Sequence, residues 1–264
     1  MRKQVSINET SVGTLARGLD VLELFGSGSP ELTQKQISDR IGLPMPTVHR
    51  LTSVLTERDW LERDPATRRL RLGLGMARLV PALLAGMRLP ALARPHLLAL
   101  ASSVQETVNV AILQGSEIVY LLSETGDRLL TSQTAVGMRL PAHCTALGKC
   151  LLAQLTQDRA RAALGDEPYE RRTERTLTTW AQLAPSLAES RRNGVTISEE
   201  EYEVGLVSIA APVRWLDGPD TAAINVSLPA GRATPEFRAE LTRGLLAAAG
   251  EIDRAMSVPD RARA

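Results

Sequence analysis

The chain has 264 residues, of which 44% are hydrophobic, enough for one large domain or two smaller ones with separate cores. No run of about 18 apolar residues predicts a membrane span, and Met1 to Ser11 lacks the apolar segment of a secretory signal. Cys144 and Cys150 fall on different sides of a predicted helix, which fits reduced thiols. We therefore expect a cytoplasmic protein with no membrane partner.

The net charge of +1 is distributed unevenly. Residues 1–87 hold 12 Lys+Arg against 9 Asp+Glu, and the remainder holds 19 against 21. This asymmetry alone does not establish nucleic-acid binding, but it fits a modestly basic N-terminal module beside a neutral domain.

Two helices open the chain. The first is predicted over Val12 to Phe25, where Leu15, Leu19, Leu22 and Phe25 form an apolar stripe, and Gly26 to Pro30 ends it. The second covers about Thr33 to Ile41. Thr33 is its predicted N-cap, and Gln36 completes a capping box.

A third helix and a hairpin follow a corner formed by Gly42, Pro44 and Pro46. The apolar positions of this helix are Val48, Leu51 and Leu55. Two alternating segments then predict a hairpin, and they are Trp60–Arg63 and Arg69–Leu72 around the turn Asp64–Thr67. Three helices followed by a basic hairpin predict a winged helix-turn-helix over residues 11–72.

The third helix would enter the major groove of an operator, and the hairpin, or wing, would reach phosphates. The DNA-contacting candidates are polar or basic residues of the helix and wing: Thr47, His49, Arg50, Ser53, Arg68, Arg69 and Arg71. Arg50 is the strongest of them, because a guanidinium can pair with a phosphate or with guanine. The alternative is an ordinary solvated face and a charged turn.

Residues 73–89 predict an apolar linker helix, with Pro81 at a kink or boundary. An amphipathic helix follows from Pro90 to Glu106, and its apolar side is predicted to carry Leu92, His96, Leu100 and Val104.

The remainder alternates strands and helices joined mostly by hairpins, which predicts an α+β domain with an antiparallel sheet over residues 90–256. Strands are predicted at Val108–Gln114, Glu117–Ser123, Leu129–Thr134, Val195–Ser198, Val207–Trp215 and Thr221–Leu228. Helices are predicted at His143–Leu155, Arg159–Leu164, Thr179–Arg192 and Pro235–Met256, with Asn193-Gly194 as a C-cap pair.

The titratable residues of this second domain do not predict catalysis. His143 and Cys144 are adjacent on the predicted helix and would point about 100° apart, which is unsuited to a nucleophile and its base. No metal-ligand spacing and no cofactor-binding motif is evident, so no metal and no cofactor are predicted. Glu199, Glu200 and Glu201 are interpreted as a solvated turn.

Asn225 and Ser227 alternate on one strand and share a face. That face is either solvated or lines a cavity. In a cavity, an amide and a hydroxyl could hold a carboxylate without an arginine.

Several segments resemble the IclR-type (isocitrate-lyase-regulator) family of bacterial transcription factors over about residues 11–250. The N-terminal ones read SVGTLARGLDVLELF, GLPMPTVHRLTSVLTERDWLERD and LRLG. The later ones read GMRLPAHCTALGKCLLA (137–153) and GVTISEEEYEVGLVSIAAPV (194–213). The resemblance implies a winged helix-turn-helix, a linker helix and a GAF-like effector domain. It also implies homodimers, often paired as tetramers, that bind a small organic acid.

Carried over by position, the family's effector site would comprise Leu129, Ser132, Ala146, Leu147, Ser198, Leu206, Ser208, Asn225 and Ser227. The sequence departs from the family at four positions. Ser198 stands where an acidic residue is common, Cys144 replaces a common alanine, and Met45 and Pro46 replace the usual basic and hydroxyl residues.

Three hypotheses follow. The leading one is a regulator that binds a double-stranded operator and senses a small carboxylic or aromatic acid. The second is a metabolite-binding protein or enzyme whose N-terminal module only oligomerises. The third is a helix-turn-helix regulator that senses oxidation through Cys144 or Cys150.

Overall fold

A computed structural model describes residues 13–26, 29–85, 87–126, 128, 134–214 and 221–257. The chain divides into two compact units, Met1–Gly86 and Met87–Ala264. The candidates Leu129 and Ser132, and nearly all of the strand expected over 129–134, lie outside the described residues.

The first unit begins with three helices, α1 (Thr14–Gly26), α2 (Gln34–Ile41) and α3 (Met45–Glu57). Thr33 caps α2 and forms the predicted capping box with Gln36, and Gly42 ends that helix in the left-handed conformation. The core beneath the helices is apolar and includes Val21, Phe25, Ile37, Val48 and Leu51.

The wing follows directly. Strands β1 (Leu61–Arg63) and β2 (Leu70–Leu72) pair antiparallel. Asp64 Oδ1 organises the turn by accepting from the backbone N–H groups of Ala66 and Thr67 at 2.9 and 2.6 Å. Buried Leu70 also pairs with Leu32, which anchors the wing to the loop before α2.

The segment after the wing differs from the single linker helix expected over residues 73–89. It forms a 3-10 turn, Met76–Arg78, and a short helix α4 (Val80–Ala85), and the next helix begins only at Arg88. Gly73 and Gly75 pass against the backbone of Asp59, where a Cβ atom would lie 2.2 and 2.7 Å from its carbonyl oxygen. The chain therefore lies close against the backbone of Asp59 at the point where one continuous helix was expected to begin.

The second unit is an α+β domain built on a six-stranded antiparallel sheet in the order β5-β4-β3-β8-β7-β6. The strands are β3 (Thr107–Gln114), β4 (Glu117–Glu124), β5 (Arg139–Pro141), β6 (Thr196–Glu199), β7 (Leu206–Arg214) and β8 (Thr221–Pro229). The helices are α5 (Arg88–Val104), α6 (Ala146–Ala153), α7 (Gln157–Leu164), α8 (Trp180–Asn193) and α9 (Pro235–Met256).

Two apolar cores cover opposite faces of the sheet. On one face α5 and α9 pack against the strands, and on the other face α6 packs against the strands with α8 behind it. Since side chains of a strand alternate between faces, Val110 and Ala111 belong to different cores. The polar residues of the candidate site lie among these strands.

One local expectation was right only in part, and another was wrong. The buried side of α5 carries Leu100 and Val104 as expected, whereas Leu92 and His96 are only partly buried and Leu97 lies in the core. The expected solvated turn at Glu199–Glu201 is instead paired throughout, as described below.

Within the described residues no single helix is both long and apolar enough to cross a bilayer. Met76–Leu83 and Arg88–Val104 reach that length and composition only when the two segments are counted together.

Candidate functional site

The first candidate surface lies on α3. Val48, Leu51 and Thr52 face the core, whereas His49 and Arg50 are exposed, and Thr47 and Ser53 are half-buried. Pro44 stands at the N-cap without a side-chain hydrogen bond, and its carbonyl accepts from the N–H groups of Thr47 and Val48 at 2.9 and 3.1 Å. Because Pro46 has no N–H, little is lost by the absence of a capping hydroxyl.

The four candidate arginines of this unit fall into two groups. In the described structure, the guanidinium groups of Arg50, Arg68 and Arg69 have no hydrogen-bond or ion-pair partner. Arg71, by contrast, binds Glu62 across the wing, with Nη2 2.8 Å from Oε1 and Nε 3.2 Å from Oε2. The hydrogen bond and the opposite charge raise the pKa of Arg71 and lower the pKa of Glu62. Arg71 is therefore less available to a phosphate than the other three.

The second candidate site is a cavity of about 380 Å³ in the second unit. Every described member of the family-derived set lines it, and these residues are Ala146, Leu147, Ser198, Leu206, Ser208, Asn225 and Ser227. The walls also include residues that the sequence reasoning did not select: Tyr120, Thr134, Met138, Leu140, Cys144, Thr145, Tyr202, Glu203, Val204, Gly205 and Pro229. The topology thus gathers residues far apart in sequence around one space.

The N-terminus of α6 forms one wall. Thr145 is the N-cap, and its hydroxyl accepts from Gly148 N and donates to the carbonyl of Pro141, both at 3.1 Å. Ala146 and Leu147 occupy the first helical positions, where N–H groups have no intrahelical partner and the helix dipole favours an anion. Gly148 permits a close approach, since a Cβ atom there would lie 2.2 Å from the carbonyl oxygen of Ala142.

The sheet supplies a polar side of the cavity. Ser198, Ser208 and Ser227 stand opposite one another on adjacent strands. The hydroxyls of Ser208 and Ser227 are 2.7 Å apart, and Asn225 Nδ2 donates to Ser227 Oγ at 2.8 Å. Asn109, buried in the neighbouring strand, donates to Asn225 Oδ1 at 2.9 Å. These groups give this side of the cavity neutral hydrogen-bonding atoms.

Charge is scarce in this cavity. Its described lining contains no lysine, arginine or histidine, and Glu203 is its only carboxylate. Burial raises the pKa of the Cys144 thiol to about 12 and raises the pKa of Tyr120. Burial also raises the pKa of Cys150 to about 12. Both thiols therefore stay protonated at neutral pH, which argues against a nucleophilic cysteine and against oxidation sensing.

Groups of opposite charge hold the segment from Ser198 to Tyr202, which forms one side of the cavity. Lys149, fully buried on α6, pairs with Glu201 and donates to the carbonyl of Ile197 at 3.1 Å. The carbonyl of Glu201 accepts from Thr176 at 2.7 Å. These contacts fix the residues before Tyr202, whose ring lies 4.9 Å from the guanidinium of Arg172.

The neighbouring carboxylates are paired as well. Glu199 pairs with Arg238, and Glu200 pairs with Arg175 at 3.1 Å. Three acidic residues in sequence are thus separate anchors, because cations from α6, α9 and the loop before α8 converge on them.

A helix-turn-helix unit joined in one chain to a sheet domain with a polar cavity defines a class of ligand-responsive DNA-binding regulators. Residues 14–65 match the family described as the IclR helix-turn-helix domain, and residues 82–254 match the bacterial transcriptional regulator IclR C-terminal family. The chain belongs to the IclR family of bacterial transcriptional regulators.

Curated relatives agree with this assignment. The Pca regulon regulatory protein of Pseudomonas putida is 36% identical over 237 residues, which cover 88% of this chain and 79% of that protein. The transcriptional repressor AllR of Salmonella paratyphi A is 31% identical, over 84% of this chain and 82% of AllR. Both relatives are named as regulators of gene expression.

A solved structure of similar fold contains a ligand. It is an IclR homologue from Microbacterium hydrocarbonoxydans complexed with 4-hydroxybenzoate, with 27% identity and a TM-score of 0.79. The alignment covers 92% of this chain and 99% of that one. The resemblance-based predictions of family, fold class and regulatory function are therefore confirmed.

Proposed function

We propose that this regulator binds operator DNA through α3 and the wing, and that a small organic acid in the cavity changes its DNA affinity. The composition of the cavity is the observation that supports an acid as the ligand. It combines the N-terminus of α6 with the hydroxyls and amide of Ser208, Ser227 and Asn225, and its described lining has no cation. Such a site suits a carboxylate held by neutral donors and a helix dipole.

The chemical class of acid is supported by the lining and by one relative. Tyr120, Met138, Leu140 and Tyr202 offer apolar and aromatic surface beside the polar side of the cavity. An aromatic or short aliphatic carboxylate can use both surfaces at once. The homologue complexed with 4-hydroxybenzoate provides a first candidate to test.

The proposed DNA contacts rest on exposure and charge. Arg50 is exposed on α3, Arg68 is exposed in the wing, and both guanidiniums lack partners in the described part of the chain. A guanidinium in this position can contact a phosphate or the O6 and N7 atoms of guanine. Thr47, His49, Ser53 and Arg69 complete the proposed surface, with Arg71 held back by Glu62.

We propose a homodimer that reads two half-sites, and pairing of dimers as tetramers extends this proposal. Its support is apolar surface left exposed on the first unit. Leu15 and Leu19 are 77% and 48% exposed on α1, and Leu83 is 56% exposed on α4. A DNA-binding role also supports a cytoplasmic location.

The experiment is a fluorescence anisotropy titration of the native upstream DNA, with and without 4-hydroxybenzoate and other small acids. We expect Arg50→Ala to weaken DNA binding by about 1–3 kcal/mol per affected base contact, while Arg243→Ala on α9, also exposed, leaves it unchanged. We expect Ser227→Ala to abolish the effect of the acid but not DNA binding. Equal loss in both arginine variants, or no effect of any acid, would contradict the proposal.

A further inference from the structure

The polar side of the cavity continues into the sheet as a single chain of hydrogen bonds. It runs from Ser123 on β4 through Thr134 and Asn109 to Asn225, and ends at the serine pair Ser227 and Ser208. The Ser123–Thr134 and Thr134–Asn109 contacts are each 2.6 Å, and Asn109 to Asn225 is 2.9 Å. Five side chains on four strands, together with Thr134, are thus linked by five hydrogen bonds, ending with the bonds of Asn225 and Ser208 to Ser227.

With the amides of Asn109 and Asn225 oriented as they are in the structure, the direction of every bond up to Ser227 follows. The oxygen Oδ1 of Asn109 carries no proton, so Thr134 must donate to it. Thr134 has only one hydroxyl proton, so Ser123 must donate to Thr134. At the other end Asn109 Nδ2 donates to Asn225, and Asn225 Nδ2 donates to Ser227.

The serine pair therefore has a surplus proton. Ser208 and Ser227 share one hydrogen bond but hold two hydroxyl protons. Whichever serine donates, the other hydroxyl proton remains for a ligand, and both residues line the cavity. The hydroxyls of Ser198 and Thr145 are already donating to the carbonyls of Cys144 and Pro141 at 3.3 and 3.1 Å.

The opposite direction would give the cavity a different chemistry. If both amides turned over, Ser208 would donate to Ser227 and Ser227 to Asn225, so neither serine proton would remain. The surplus proton would then lie at the far end of the chain, on Thr134 or Ser123. The amide orientations in the structure, with Asn109 Nδ2 facing Asn225 and Asn225 Nδ2 facing Ser227, give the donor direction toward the cavity.

We propose that Ser123, Thr134 and Asn109 are positioning residues that set this direction, so that the cavity prefers a carboxylate to the matching primary amide. A carboxylate only accepts hydrogen bonds and therefore matches a surplus hydroxyl proton. An amide of the same shape offers that proton only a neutral oxygen, and its N–H₂ group needs an acceptor. When the chain runs the other way, the serine pair presents acceptors and no free proton. This inference rests on the proposed sensing of an acid by the same cavity.

The test compares each acid with its amide by isothermal titration calorimetry of the full-length protein. The probes are 4-hydroxybenzoate with 4-hydroxybenzamide, and propionate with propionamide. We expect the unaltered protein to bind an acid at least about tenfold more tightly than its amide, since hydrogen bonds to charged groups are the stronger ones.

Two variants interrupt the chain outside the serine pair. Thr134→Val removes the donor to Asn109, and Ser123→Ala removes a hydroxyl that does not line the cavity. In both we expect the ratio of acid to amide affinity to fall about fivefold. The matched control is Thr196→Val, which breaks a buried bond between the hydroxyls of Ser190 and Thr196 away from the cavity and should leave the ratio unchanged.

The ratio within one variant cancels any loss of folded protein, so instability cannot mimic the effect. Acid and amide binding equally to the unaltered protein, or an unchanged ratio in both chain variants, would overturn the proposed direction while acid sensing stands. Failure of every acid to bind would overturn the proposed function and this inference together.

Discussion

Glu62 restrains an arginine that would otherwise be available to DNA. Arg71 and Glu62 are cross-strand neighbours in the wing and form two hydrogen bonds, at 2.8 and 3.2 Å. Replacing Glu62 with glutamine removes the charge that holds the guanidinium and removes a carboxylate that repels phosphates. We therefore predict that Glu62→Gln strengthens operator binding and makes it more dependent on salt.

The size of the effect follows from counterion release. Each new phosphate contact steepens the plot of log affinity against log salt concentration by about 0.9. Between 50 and 200 mM salt, one contact corresponds to an additional change of about 3.5-fold, and two contacts, one from each protomer of a dimer, to about 12-fold. Fluorescence anisotropy of labelled upstream DNA over this salt range measures the slope directly.

Two further variants separate the possible causes. Glu62→Gln combined with Arg71→Ala should return the slope to its original value, whereas Glu240→Gln on α9, where Glu240 is exposed, should never change it. A slope that stays the same in Glu62→Gln, or that stays steep in the double variant, would refute the assignment of Arg71 as a restrained phosphate contact.

Three other predictions concern stability. Gly73→Ala places a Cβ atom 2.2 Å from the Asp59 carbonyl oxygen and should destabilise the first unit by about 1–3 kcal/mol. We expect this variant to bind DNA more weakly, while its affinity for the acid, measured by calorimetry, stays the same. Lys149→Met leaves the Glu201 carboxylate buried and unpaired, and should lower the free energy of unfolding in urea by about 3–5 kcal/mol. Adding Glu201→Leu should recover most of this stability, and no recovery would contradict the pairing. Burial lowers the pKa of His143. The unfolded chain therefore takes up this proton first, and the free energy of unfolding should fall as the pH drops below about 6.5. The difference between the unfolding temperatures at pH 7.5 and pH 5.5 should be smaller in His143→Gln than in the unaltered protein, and an equal difference would contradict this cause.

Local patterns predicted the elements well. The capping box of Thr33 and Gln36 forms as expected, the wing strands pair around the Asp64 turn, and Gly194 ends α8 in the left-handed conformation. Each feature depends on residues within a few positions of one another. For the same reason the bounds predicted for the last helix, Pro235–Met256, agree with the structure.

Contacts between distant segments were harder to predict. Asn109 joins Asn225 only because strands β3 and β8 pair in this register, and nothing in either local sequence reveals that. Glu201 was expected in solvent because its partner Lys149 lies on α6, far away along the chain. The family resemblance selected cavity-lining residues that spacing alone could not, but it did not reach Ser123, Thr134 or Asn109.

The central claim is that an acid bound in the second unit changes the affinity of the first unit for DNA. The most direct measurement is the affinity of the full chain for its upstream DNA, with and without an acid that calorimetry shows to bind, in the unaltered protein and in Ser227→Ala. The account predicts that the acid shifts DNA affinity by about 5- to 150-fold in the unaltered protein and does not in the variant, which still binds DNA. An acid that binds the cavity and leaves DNA affinity unchanged would contradict it.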